Sequence, residues 1–233
     1  MSVKQATYSR RNAEAARRSI LDSRNQFWRP TDIDAPPSTV QRILADLVTR
    51  GELRHIRKGL YWRGIKTPLG MAPPSPEALV SQLANRDGIG PAGLSAANAL
   101  RLSTQIPRRA EYAVVSRPPS DTDLVHFVNR SARRSRSASK LSPTDVAALE
   151  VLDGWDRVIE TGPREAMARL TDMIRSGRID PSRLVRASKT EPGSSRARLR
   201  YLLRSAGMPT LADKVRSPGR GIESKALAGL AVA

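Results

Sequence analysis

The chain has 233 residues, with 40 Lys and Arg against 22 Asp and Glu, a formal net charge of +18 and a pI near 11.4. This balance points to an anionic partner, and the length allows one large or two small domains. Cysteine is absent, which excludes disulfides, thiolate nucleophiles and Cys-ligated zinc, and aromatics at 4% argue against a stacking platform for single strands.

Residues 1–11 are polar, carry Lys4, Arg10 and Arg11, and read as a mobile arm. They show no secretory signal, and no apolar run of the chain reaches membrane-spanning length, so a cytoplasmic protein without membrane contact is expected. Asn12 is placed to cap a helix to about Leu21, with Ala13, Ala16, Ile20 and Leu21 inward and Arg17 and Arg18 outward. Phe27-Trp28 reads as a short strand and Pro30-Thr31-Asp32-Ile33 as one helical turn. In the next helix Val40, Ile43, Leu44, Leu47 and Val48 recur at helical spacing and form one buried stripe. Ser38 is its expected N-cap, Gln41 completes a capping box, and Gly51 ends it. Leu53 and Ile56 then lead to Lys58-Gly59, where the chain reverses before Leu60-Tyr61-Trp62.

Helix, strand, short helix, long helix and hairpin is the order of a winged helix-turn-helix, a fold that sets a recognition helix in the DNA major groove. Ser38, Thr39, Gln41 and Arg42 lie near the N-terminal end of the long helix, the end that meets base edges. Arg42 is the leading candidate for a guanine contact, because a guanidinium pairs O6 and N7 together. Arg54, Arg57 and Lys58 on the wing, with Arg17 and Arg18 on the first helix, suit phosphate or minor-groove contacts. The plainer alternative makes Gln41 a cap partner and the arginines a solvated face. Asp46 on the same helix runs against DNA contact, since it would repel phosphate.

Residues 64–76 are rich in Pro and Gly and read as a linker, which leaves 1–63 as the first domain. A second, mainly α-helical α+β domain is expected over 77–216. It begins with a helix from Pro76 to Arg86, then a Gly-Pro loop and a short helix over Ser95–Leu100. Glu111–Ser116 and Leu124–Val128 read as strands. Arg130, Arg133, Arg134, Arg136 and Lys140 follow in a serine-rich segment without acids, read as a mobile basic loop or strand edge. Any nucleic-acid contact from it would be to phosphate, without sequence choice. Four helices come next, opened by Ser142-Pro143, Pro163, Asp180-Pro181 and Ser194 or Ser195, with stops at Gly154, Gly177 and Gly207. Residues 217–233 are weakly patterned and read as a flexible tail.

Catalytic patterns are poor. Gly93–Ala97 (GLSAA) approaches a nucleophile elbow, but a Gly-Pro loop precedes it and it has no partner His. His55 and His126 have no evident partners. Asp213, Glu223 and Lys225 mimic a nuclease core, yet they lie in a Pro/Gly-rich stretch rather than on adjacent strands. No phosphate-binding glycine loop is present, and neither a cofactor nor a metal is expected.

The succession PSTVQRILADLVTRGELRHIRKGLY, GLSAANALRLSTQIP, EYAVVSR and SPTDVAALEVLDGW resembles the AbiEi family of antitoxins, over roughly residues 10–207. These are transcriptional regulators of bacterial type IV toxin–antitoxin operons. The resemblance implies an N-terminal winged helix that binds inverted repeats in its own promoter and represses it. It also implies a C-terminal domain that counteracts a nucleotidyltransferase-like toxin, with or without direct contact. Thr39, Gln41, Arg42, Arg54, Arg57 and Lys58 match the family's recognition helix and wing, and Gly59 and Tyr61 its RGLY-like wing signature. Some relatives carry a nuclease-like C-terminal domain whose carboxylate pattern is missing here, which favours a non-enzymatic antitoxin. The rivals are an antitoxin that sequesters its toxin by direct binding and a basic RNA-binding protein. Oligomeric state is open, since dimers on palindromes and monomers on successive repeats fit the chain equally.

Overall fold

The computed structural model describes residues 3–84 and 87–230, with side chains from Arg11 onward. The chain divides into two compact units, Met1–Ala78 and Leu79–Ala233, and is mixed α+β.

The first unit runs α1 (Val3–Asp22), β1 (Gln26–Trp28), a 3-10 turn (Pro30–Asp32), α2 (Pro37–Thr49), β2 (Arg54–Arg57) and β3 (Leu60–Arg63). A small hairpin of β4 (Lys66–Thr67) and β5 (Gly70–Met71) follows. The three main strands are antiparallel in the order β1-β3-β2, with Trp28 opposite Tyr61 and Phe27 opposite Trp62. Val40, Ile43, Leu44 and Leu47 are buried along one side of α2 as their spacing predicts, against Ile20, Trp28, Ile33 and Leu53. Burying each such side chain contributes about 1.5–3 kcal/mol before conformational entropy is charged against it. Gly51 takes φ +65° and its N–H donates to the Val48 carbonyl, while Glu52 N–H reaches Leu47, so the last carbonyls of α2 are satisfied. Gly59 at φ +74° turns the β2–β3 hairpin.

Three expectations for this unit need correction. The arm expected over residues 1–11 is helical from Val3, so Asn12 lies inside α1 and does not cap it; residues 1 and 2 lie outside the described residues. Residues 3–12 contain neither Gly nor Pro, so nothing in them stops the helix. Ser38 does not cap α2 either. The helix opens with Pro37 at its first position and Pro36 at the cap, without a side-chain cap bond. Proline's fixed φ and missing N–H suit that place, and the Ser38–Gln41 capping box is not formed. Finally, the stretch read as a linker is partly ordered: Trp62 Nε1 donates to the Ala72 carbonyl at 2.8 Å and Lys66 pairs with Glu52.

The second unit is mainly helical. Its elements are α3 (Pro76–Leu83, across the boundary), β6 (Gly90–Pro91), α4 (Gly93–Ala99), β7 (Ala110–Val114) and β8 (Val125–Asn129). A 3-10 helix (Arg134–Ser139), α5 (Pro143–Val158), α6 (Pro163–Arg175), α7 (Pro181–Ala187) and a 3-10 turn (Ser188–Thr190) come next. The unit closes with α8 (Gly193–Ser205), α9 (Pro209–Lys214) and α10 (Arg220–Ala226). Arg86, the expected end of the α3 helix, lies outside the described residues. The sheet order is β6-β7-β8, with β6 antiparallel and β8 parallel to β7. Helix α5 is the axis of this unit, with Val146, Ala147, Ala148, Leu149, Val151, Leu152 and Trp155 all buried, and α4, β6, α7 and α8 pack on it. Its start matches expectation, since Ser142 and Asp145 form a reciprocal capping box with Pro143 at the first position. The tail expected from residue 217 instead holds α10, and Leu230 beyond it is buried; residues 231–233 lie outside the described residues. Arg198 Nε donates to the Ala226 carbonyl and Tyr201 OH to that of Leu230, which ties the segment to α8.

Candidate nucleic-acid interface

In the first unit, Ser38, Gln41 and Arg42 are exposed in the opening turns of α2 and Thr39 is half-buried. The same helix buries its opposite stripe, so the inward residues hold the outward ones in place. The Arg42 side chain makes no ion pair or hydrogen bond among the described residues. Arg57 and Lys58 are exposed at the tip of the β2–β3 hairpin, and Arg54, earlier on β2, is half-buried. A break in register between His55 and Arg57 twists the strand just before that tip. Arg18 is exposed on α1.

Arg17 is engaged. Its Nη2 lies 2.8 Å from Asp46 Oδ2, and Arg50 Nε donates to Asp46 Oδ1 at 2.9 Å. The acid that weighed against DNA contact is therefore paired with two arginines, one from α1 and one from the end of α2. Sequence reading missed this, although the i,i+4 spacing of Asp46 and Arg50 was available to it.

The basic segment of the second unit is not a mobile loop. Arg136 is fully buried, and its Nε and Nη2 donate to Glu191 at 2.7 and 2.9 Å while Nη1 donates to Glu150 at 2.6 Å. Arg130 makes bonds of 2.8–3.2 Å to both Glu150 oxygens, and Arg133 pairs with Asp153 at 3.0 Å. These three arginines are spent on internal carboxylates, so they drop out as phosphate contacts. Arg134 and Lys140 remain exposed.

Burial works against the charge of Arg136, but the hydrogen bonds and charge of Glu191, with the charge of Glu150, outweigh it and hold the guanidinium well above its usual value. Burial likewise pushes the Glu150 carboxyl up. The Arg130 hydrogen bonds and the Arg136 charge overcome this and keep it below the ordinary glutamate value. A fully bonded cluster of this kind specifies how the segment docks; it offers nothing to an outside ligand.

The weak catalytic patterns resolve into local structure. Gly93 at φ +50° opens α4, and a side chain there would lie 2.0 Å from the Glu111 carboxylate, which accepts the Leu94 N–H; Ser95 Oγ accepts the Glu111 N–H. His126, expected to lack a partner, has its Nδ1 2.6 Å from Asp121. That hydrogen bond, followed by one from the Phe127 N–H, lowers the Asp121 carboxyl below its ordinary value. The His55 and Tyr61 rings meet at a tilt of 54° on the hairpin, with centroids 5.2 Å apart. Asp213 is on α9 near Arg204, and Glu223 and Lys225 are on α10, so strands do not carry them. Among the described residues no helix is long and apolar enough to cross a membrane.

The sequence matches no family model and no curated protein. It is similar to a solved structure, the Rv2827c protein from Mycobacterium tuberculosis, at 17% identity and a TM-score of 0.49. The match covers 92% of this chain and 81% of that one.

Proposed function

We propose that the first unit is a winged helix-turn-helix and that the chain is a sequence-specific, double-stranded DNA-binding repressor without enzymatic activity. One observation carries the reading. The first turns of α2 expose Gln41 and Arg42, and the tip of the following hairpin exposes Arg57 and Lys58, on a unit that commits the opposite stripe of α2 to its core. In this reading α2 enters the major groove, where Arg42 takes a guanine edge and Gln41 an adenine edge. Arg57, Lys58 and Arg18 neutralise phosphates, so affinity falls with salt at a log–log slope of about −0.9 per phosphate contacted.

The resemblance to AbiEi antitoxins supplies the biological reading, namely repression of the chain's own toxin–antitoxin operon and opposition to a nucleotidyltransferase-like toxin. The duplex bound is then the promoter upstream of its gene. The test is a gel shift on that DNA at two salt concentrations with random duplex as competitor. Retention against the competitor, with a footprint over repeated half-sites, is the expected result. Equal loss to random duplex at both salts would reduce the protein to a basic surface. Co-elution of antitoxin and toxin at micromolar concentration would instead turn the reading towards direct sequestration.

A further inference from the structure

Asp46 is the single acid among the 13 residues of α2 and stands one turn beyond Arg42 on the same side of the helix. Both of its oxygens face cations, Arg17 from α1 and Arg50 from the helix end. The three side chains are partly exposed, at 37% for Arg17, 63% for Arg50 and 28% for Asp46. The Arg50 pair lies at an exposed position, where an ion pair contributes little to stability, while Oδ2, which faces Arg17, is shielded from solvent without a hydrogen bond. Its other effect is electrostatic: it engages two guanidinium groups and subtracts one charge beside the residues proposed to read bases.

We infer that Asp46 is a specificity-determining residue that suppresses non-specific duplex binding; the inference rests on the DNA-binding reading above. On random duplex the protein samples every register, so any freed arginine finds a phosphate. On the operator, base contacts by Arg42 fix one register, and a freed arginine gains only what that register offers. A negative charge at this point therefore costs random binding more than operator binding and widens the ratio between them.

The test is Asp46→Asn, which keeps the shape and removes the charge. Salt titrations on random duplex are expected to steepen by about 0.9 in log–log slope, equivalent to roughly 8-fold tighter binding at 0.1 M salt. The operator-to-random ratio is expected to fall several-fold. Adding Arg50→Gln to that variant restores the net charge and should return the slope toward its original value. Arg50→Gln alone leaves the carboxylate less neutralised and should shift the slope the opposite way, a check that survives if Asp46→Asn fails to fold. An unchanged slope and ratio in folded variants, with the unaltered protein still preferring its operator, would overturn the role of Asp46 and leave the repressor reading standing. If the unaltered protein retains no duplex, both fall.

Discussion

Replacing Arg136 by Met separates a structural cation from a nucleic-acid contact. Methionine matches the volume of the stem but removes three hydrogen bonds, two to Glu191 and one to Glu150. Glu150 keeps its paired bonds from Arg130. Glu191 is left with Arg133 Nε at 3.7 Å, outside hydrogen-bond reach, while only 1% of its side chain is exposed. An uncompensated buried charge of this kind costs about 3–5 kcal/mol. At about 2–4 °C per kcal/mol for a unit of this size, the melting temperature should drop by roughly 6–20 °C. Scanning calorimetry or thermal circular dichroism reads the effect. Adding Glu191→Leu removes the stranded carboxylate and should recover most of the loss, because a well-packed apolar pair replaces a buried ion pair at little net cost. Arg134→Met, at an exposed neighbour on the same segment, should leave the melting temperature within about 2 °C, as surface substitutions do. A similarly small change for Arg136→Met, with a shallower salt dependence of DNA binding, would refute the buried cluster and restore the basic loop.

Arg42→Ala should relax sequence choice at one base pair, losing about 1–3 kcal/mol of discrimination in competition gel shifts. Arg57→Ala should weaken every sequence alike and make the salt slope shallower by about 1; unchanged binding in both variants would remove α2 and the hairpin from the mechanism. Acid should destabilise the second unit through Glu150. Its folded carboxyl is held below the ordinary value, because the bonds and charges of Arg130 and Arg136 overcome the opposing effect of burial. The stability it contributes is therefore present above the unfolded-state value, about 4.3, and lost as pH falls through the lower folded value. Melting temperatures of the unaltered protein and of Glu150→Gln should draw together as pH falls from about 4.3 through the lower folded value, and a gap independent of pH would contradict the assignment.

Much of the first unit was legible in sequence because its signals are local. The α2 stripe, the stop at Gly51 and the reversal at Lys58-Gly59 each need only a few neighbouring residues to specify them. The same holds for the proline-started helices α5, α6 and α7. Local signals also misled. Ser38 has the chemistry of a cap, but two prolines before it set the helix start two residues earlier. For the candidate site, the exposed places of Gln41, Arg42, Arg57 and Lys58 followed from the same periodicity that buried their neighbours. The fates of the other arginines did not. Arg17 meets an acid on another helix, and Arg136 meets acids 14 and 55 residues away. A run of arginines with no acid beside it in sequence reads as a solvated patch, because charge pairing depends on distance in space. Tertiary packing alone brought Glu150 and Glu191 to that run, and in the low dielectric of the interior their attraction, with complete hydrogen bonding, outweighed the cost of burying the charge. Sequence by itself determined which side of each helix is apolar and where the proline starts and glycine turns fall; the fold decided which cations are left for a partner.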